Sequence, residues 1–105
     1  MKHAILFTAA LAMAGMASGS QADWRTAHPR RAEVNARLTN QAHRINVERR
    51  EGEITAAQAH DLHVQDRGIR AQERYDASQN GGHITRAEQA QLNHQENQVS
   101  HEIGR

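Results

Sequence analysis

Apolar and polar positions follow a helical period through most of the chain beyond residue 22. One pattern, Leu-x-x-Gln-x-x-x-Ile/Val, occurs three times, and its spacings of three and four place the named side chains along one stripe of a helix. The copies are Leu38-Gln41-Ile45, Leu62-Gln65-Ile69 and Leu92-Gln95-Val99. No segment has the alternation and β-branched enrichment that indicate a strand. The pattern therefore predicts an all-α protein with three amphipathic helices.

A second repeated element marks where the later two helices begin. The pattern Gly-x-Ile-Thr-x-Ala-Gln/Glu runs from Gly52 to Gln58 and again from Gly82 to Glu88. Its threonine suits a helix N-cap, the Gln or Glu three residues on completes a capping box, and its glycine suits the left-handed residue that ends the preceding helix. Pro29 suits the first turn of the first helix. These signals predict three antiparallel neighbours over residues 29–51, 56–78 and 86–103, as a hairpin array or small bundle.

The repeated glutamines fall on the apolar stripe of each predicted helix. Two interpretations are open: the amides lie in water at the edge of the seam, or Gln41, Gln65 and Gln95 form a polar layer that fixes the register of the helices at some cost in stability. Gly68 interrupts the second helix, where it predicts a kink or a close helix crossing.

Residues 1–22 have the features of a secretory signal peptide. A basic start at Lys2 and His3 precedes an apolar run over residues 4–16, and small residues then lead to Ala22. The run is too short to cross about 30 Å of hydrocarbon, so we expect export without a membrane anchor. Cleavage after Ala22 is the prediction, with a cut after Gly19 as the alternative, and the mature protein is expected to be periplasmic or secreted.

Removal of residues 1–22 changes the charge balance and the apolar content of the chain. Lys2 is the only lysine, so the 13 basic and 12 acidic residues become an even balance, which does not favour nucleic-acid binding. The absence of cysteine excludes a disulfide framework and a thiol nucleophile. We expect a flexible N-terminus at 23–28 and a helical domain at 29–105. Few large aliphatic residues remain, so the core is thin: the fold is marginal, partly disordered, or completed by a protein partner or self-association.

The segment 75–85 resembles a calcium-binding EF-hand loop. Such a loop needs oxygen ligands at positions one, three and five, glycine at six and glutamate at twelve. Asp76, Ser78 and Asn80 supply the early ligands, but Glu88 then falls at thirteen. Placing Gly82 at position six puts Glu88 at twelve and leaves poor ligands at the early positions. A capped turn between helices is the simpler interpretation of the same residues.

Histidines form a second candidate group for metal binding. His60 and His63 lie three residues apart on one predicted helical face, and His with carboxylate can hold zinc or copper. Solvated surface histidines are the alternative, since a helical pair supplies only two ligands. No nucleophile elbow, phosphate-binding glycine loop or zinc-protease pair is present. We therefore expect no enzymatic activity, and no cofactor beyond such an ion.

The capping elements also carry a resemblance. Residues Ile54-Thr55-Ala56-Ala57-Gln58 resemble the Leu-Thr-x-x-Gln motif of the Spy-type periplasmic chaperones, and Ile84-Thr85-Arg86-Ala87-Glu88 is a looser second copy. The resemblance implies a small exported helical protein that holds unfolded clients on a curved helical surface. The whole chain beyond the signal resembles a group of small exported bacterial proteins that share the segment from Asn80 to Thr85, which implies a family and no activity.

These observations lead to one predicted function and one alternative. We expect an exported, non-enzymatic interaction protein with a stress-related chaperone role. The alternative is an ion-binding protein of the envelope, using the EF-hand-like loop or the histidine pair.

Overall fold

A computed structural model describes residues 21–104, and it is helical through nearly all of this range. Helix α1 covers residues 21–27, and it is followed by α2 (Pro29–Arg50), α3 (Ala56–Gln79) and α4 (Arg86–Ile103). No residue between 21 and 104 is in a strand, which confirms the all-α class. Residues 1–20, which contain nearly all of the predicted signal peptide, and Arg105 lie outside the described residues.

The number of helices differs from the prediction, because α1 makes four where three were expected. Residues 23–28 were expected to be a flexible N-terminus, and most of them are helical. The Thr26 hydroxyl donates to Ala22 O at 3.0 Å, and the His28 amide donates to Trp24 O at 2.8 Å. His28 then leaves the helical conformation, with φ −130° and ψ 61°. The residue before a proline is disfavoured in the α region, so Pro29 separates α1 from α2.

Both predicted capping boxes are present. Thr55 Oγ1 accepts a hydrogen bond from Gln58 N at 3.0 Å, and Gln58 Oε1 accepts one from Thr55 N at 2.7 Å. Thr85 and Glu88 make the same pair of bonds, at 3.0 and 2.8 Å. The turns before these caps are short because Gly52 and Gly82 adopt φ values of 78° and 94°, which side chains with a Cβ rarely adopt.

The three long helices form one bundle in which each helix packs on the other two. Of the Val, Leu and Ile residues between 21 and 104, all are buried except Val47, which is half-buried, and Val64, which is exposed. Ile54 and Ile84 precede the capping threonines and are buried, so each capped turn is also held against the core. Within the described range no helix is long and apolar enough to cross a lipid bilayer.

The caps give a first prediction. Replacement Thr55→Ala removes the acceptor for Gln58 N, and it should lower the free energy of unfolding by about 1 kcal/mol. Thr85→Ala should have a similar effect for α4. Urea denaturation followed by circular dichroism measures both. Thr39→Ala is the matched control, because Thr39 is exposed in the middle of α2 and alanine there is a better helix former. Equal effects at Thr39 and Thr55 would contradict a capping role.

Candidate functional site

The core of the bundle contains four buried polar residues. Gln41 on α2, Asp66 and Glu73 on α3 and Glu96 on α4 are each less than a tenth exposed, and Glu96 is fully buried. Each lies between buried apolar residues of its own helix, at a spacing of three or four. Side chains of this kind are rarely buried without a partner, because burial removes their hydration. At these four positions the core therefore contains polar side chains in place of apolar ones.

Three of the four belong together, and we call Gln41, Asp66 and Glu96 the polar layer. Gln41 Nε2 donates a hydrogen bond to the backbone oxygen of Glu96 at 2.6 Å, which joins α2 to α4. The charge of Asp66 on α3 raises the pKa of Glu96, so α3 contributes to the same region. Among the described residues, Gln41 Oε1 and all four carboxylate oxygens of Asp66 and Glu96 are buried without a hydrogen-bond partner.

Among the described residues, the carboxylate of Glu96 has one cation within ion-pair distance, Arg37, while Arg70 acts on it from farther away. Arg37 Nε lies 3.5 Å from Glu96 Oε1, close enough for an ion pair but with no hydrogen bond to the carboxylate. Burial raises the pKa of Glu96 to about 8; Arg37 lowers it, and the negative charges of Glu33 and Asp66 add to the increase. Arg37 is shared, since Nη1 lies 3.7 Å from Glu33 and Nη2 donates to Asn97. Its charge therefore only partly compensates the burial of Glu96.

Asp66 is in a similar position on the neighbouring helix. Burial raises its pKa to about 6, and the nearby Arg70 opposes this increase. Because burial raises the pKa of both Asp66 and Glu96, and the charge of Asp66 acts on Glu96, the polar layer can bind protons inside the bundle. A protonated carboxyl in the layer becomes a donor, and acceptors without partners are present in the same layer.

Glu73, the fourth buried polar residue, forms a hydrogen-bonded ion pair with Arg31. Arg31 Nε donates to Glu73 Oε2, and Arg31 Nη1 donates to Gly82 O at 3.1 Å. The Arg31 guanidinium also lies 5.2 Å from the centre of the Trp24 ring, as in a cation–π contact. One arginine of α2 thus connects α3, the turn before α4 and helix α1.

Three aromatic rings stack beside this arginine. The Trp24 and His28 ring centres are 4.8 Å apart, and those of His28 and His83 are 4.6 Å apart, with interplanar angles of 19° and 20°. His28 Nδ1 lies 3.0 Å from Trp24 O, within hydrogen-bonding distance. The stack attaches α1 to the turn between α3 and α4. Nothing in the repeat pattern indicated it, because Trp24 and His83 are far apart in sequence.

Of the two interpretations of the repeated glutamines, the layer of all three is wrong, because only Gln41 is buried. Gln41 is buried, but Gln65 is exposed and donates to Glu102 Oε1 at 3.1 Å, and Gln95 is half-buried. The next residue in each of these helices, Asp66 or Glu96, takes the core position instead. The first interpretation, amides in water at the edge of the seam, fits Gln65.

The EF-hand-like segment forms a capped turn. Asp76 and Ser78 lie on α3 rather than in a loop, where Asp76 Oδ1 accepts from Gln72 at 2.8 Å and the Ser78 hydroxyl donates to Tyr75 O at 2.6 Å. Asn80 and Glu88 do come together, since Asn80 Nδ2 donates to Glu88 Oε1 at 3.1 Å. That contact uses the amide hydrogens of Asn80, not the oxygen that a calcium ion would need.

The histidine pair lies at the surface of α3. His60 is exposed, and His63 Nε2 lies 3.0 Å from Asn46 Oδ1 on α2. Between residues 21 and 104 there is no group of three or more His, Asp or Glu side chains placed to hold one metal ion. Metal binding by either candidate group stays a prediction that the geometry does not test.

Comparisons with known proteins find no match, so the class of this protein, a small all-α bundle, is defined by its fold alone. No protein-family model matches the chain, and neither the curated proteins nor the solved structures provide a match. The resemblances to Spy-type chaperones and to a group of small exported proteins therefore stay predictions.

The polar layer predicts a stability that falls as the pH rises. Both folded-state pKa values are above the ordinary values of 3.8 for Asp66 and 4.5 for Glu96. Between the ordinary and the raised pKa of each group, the native state therefore binds more protons than the unfolded state. The stabilisation is complete below about pH 4 and is lost as the pH rises through 6 and then 8, with Glu96 contributing on the order of 3 to 5 kcal/mol. Urea denaturation at several pH values measures it.

Variant Glu96→Gln should flatten this dependence and be more stable than the parent at pH 8, because its amide does not ionise and can donate within the layer. Exposed Glu53→Gln is the control and should keep the parent slope. A slope unchanged in Glu96→Gln would show that Glu96 is not the group that titrates.

The Arg31–Glu73 pair gives a third prediction. Arg31→Met leaves the Glu73 carboxylate buried without its partner, and it should lower the free energy of unfolding by about 3 to 5 kcal/mol. Adding Glu73→Leu in the same chain should recover most of that loss, because the buried charge is then gone. A double-mutant cycle in urea measures the coupling. Additive single effects would mean that the two residues do not stabilise each other.

Proposed function

We propose that this chain is an exported, non-enzymatic protein that acts by contact with other proteins, as a stress-related chaperone. The observation that carries the proposal is the polar layer in the middle of the core. The predicted signal peptide supports export, and the two Ile-Thr-x-x-Gln/Glu elements support a chaperone by resemblance.

The polar layer favours opening of the bundle at neutral pH. With a pKa of about 6, Asp66 is largely ionised at pH 7.5, and its carboxylate has no hydrogen-bond partner within the described residues. A buried charge without such a partner lowers the stability of the closed state. Opening hydrates the carboxylates, so separation of the helices costs less than in a fully apolar core of the same size.

Opening also exposes the surface that a client would bind. The seam of each long helix carries buried leucine, isoleucine or valine at spacings of four or seven, and these side chains become accessible when the helices separate. An unfolded chain presents apolar segments that can pack in the place of the missing helix, as an amphipathic helix packs in a groove. The protein would then hold a client through the same contacts that close its own bundle.

Ion binding, the alternative function, has less support from the contacts. Of the EF-hand-like candidates, Asn80 and Glu88 meet through an amide donor, and Glu88 Oε1 is engaged in the cap of α4. Of the histidine pair, His63 contacts an asparagine of the neighbouring helix.

The test is suppression of client aggregation. Insulin whose disulfides are reduced at pH 7.5 is a convenient client, because this cysteine-free chain is unaffected by the reductant. The parent protein should delay aggregation near stoichiometric ratios. The double variant Asp66→Leu/Glu96→Leu closes the core with apolar side chains, and about 1.4 kcal/mol of added stability lowers the open population tenfold. Its suppression per mole should fall accordingly.

Exposed Asp61→Asn, also on α3, is the matched control and should behave as the parent. Absence of suppression by the parent on several clients would overturn the chaperone role. Equal suppression by the parent and the double-leucine variant would show that clients bind without opening of the core.

A further inference from the structure

Helix α2 and the surface that it covers carry opposite net charges. With histidine neutral, α2 has six arginines and two glutamates, a net charge of +4. Helices α3 and α4 together have seven acidic residues and four arginines, a net charge of −3. We call the surface of α3 and α4 that α2 covers the α3–α4 groove. The bundle therefore consists of a basic amphipathic helix packed in an acidic groove.

Two arginines of α2 reach the buried carboxylates of the groove. Arg31 donates to Glu73 on α3, and Arg37 lies 3.5 Å from Glu96 on α4. The apolar residues that α2 buries in the same groove are Val34, Leu38 and Ile45. A segment with apolar side chains and arginines beside them is thus the kind of chain that the α3–α4 groove already holds.

The pairing of charges is incomplete at the level of the polar layer. Helix α2 places the neutral Gln41 there, and its Nε2 donates to the backbone oxygen of Glu96 rather than to a carboxylate. Asp66 and Glu96 are only 7% and 0% exposed, yet among the described residues no hydrogen-bond donor reaches any of their four carboxylate oxygens. A cationic side chain at the level of Gln41 would supply the charge-assisted donors that these oxygens lack.

The positions of these two carboxylates also indicate which helix a client replaces. Asp66 belongs to α3 and Glu96 to α4, so both stay in the groove only when α2 is the helix that leaves. If α3 or α4 left instead, one of the two carboxylates would leave with it. The remaining pair of helices would then be basic, because α2 has the largest net charge of the three.

We propose that the α3–α4 groove selects client segments that are both apolar and basic, with an arginine or lysine at the position that Gln41 occupies in α2. This inference rests on the proposed chaperone function and names the class of client. The apolar side chains of the client take the places of Leu38 and Ile45, three residues before and four residues after the cation. A segment with aspartate or glutamate at that position is disfavoured, because it adds a like charge to a buried acidic layer.

The charges around the layer set the pH range of this selection. Arg37 and Glu33 of α2 and Asp66 and Arg70 of α3 act on Glu96 in the closed bundle. When α2 leaves, the partial compensation by Arg37 leaves with it. Protonation removes the attraction of the layer for a cation, so a basic segment should bind more tightly at pH 8 than at pH 5.

The variant Gln41→Lys tests the layer in the closed bundle without any client. Gln41→Met is the matched control, because its side chain is of similar length and has no charge. The ratio of the folding equilibrium constants, Lys variant over Met variant, should rise at least about tenfold between pH 5 and pH 8, since only the ionised layer pairs with the ammonium group. Urea denaturation measures both variants. A ratio that does not rise with pH would overturn cation binding by the layer.

Peptides test selection by the full chain directly. Labelled peptides copy residues 29–50 of α2, one with Gln41→Lys and one with Gln41→Glu, and fluorescence anisotropy at pH 8 measures their binding. The Lys peptide should bind at least about tenfold more tightly than the Glu peptide. The protein variant Asp66→Asn/Glu96→Gln, whose layer does not ionise, should lose this preference. Equal affinities of the two peptides for the parent protein would overturn the selection.

The outcomes separate this inference from the function on which it rests. A parent protein that suppresses insulin aggregation but binds neither peptide would overturn the replacement of α2 and leave the chaperone role standing. A parent protein that prefers the Lys peptide but suppresses no aggregation would overturn the chaperone role and leave the selective groove standing.

Discussion

The burial of Glu96 and Asp66 in the middle of the bundle is the constraint on which the rest of the structure depends. Around them, the long helices have the ordinary means of stability: apolar seams, glycine turns, and capping boxes at the starts of α3 and α4. At the end of the bundle near α1, the charge of Glu73 is fully paired with Arg31. In the middle, Arg37 divides its contacts among Glu96, Glu33 and Asn97. The bundle is thus well closed at one end and electrostatically weak at its centre.

Helix α3 differs from the other long helices in the residues on both of its faces. Its inner face supplies Asp66 and Glu73 to the core, and its outer face carries Val64 and Tyr75 exposed. Helix α3 thus carries carboxylates inside and large apolar side chains outside, in part the reverse of an ordinary amphipathic helix.

The helix ends were predictable from the sequence because caps and glycine turns are local features. Thr55 with Gln58, and Thr85 with Glu88, specify their bonds within four residues. The composition of the core was harder to predict, since positions three and four after a leucine both lie on the apolar stripe of a helix. Gln65 and Asp66 were equally placed after Leu62, and only packing against two other helices decides between them. Helix α1 was missed because its anchor, the stack of Trp24 on His28 and His83, depends on residues brought together by the fold.

The stack of Trp24 on His28 and His83 also provides an intrinsic fluorescent probe. Trp24 is the only tryptophan of the chain, and its ring lies against His28 with the Arg31 guanidinium over it. The tryptophan fluorescence of the molecule therefore has a single source, located where α1 meets the turn before α4. Emission from this residue follows the well-closed end of the bundle, whereas far-ultraviolet dichroism follows all helices together. A change in Trp24 emission before the loss of helical dichroism would indicate detachment of the end of the bundle. The opposite order would indicate that the helices separate first at the centre.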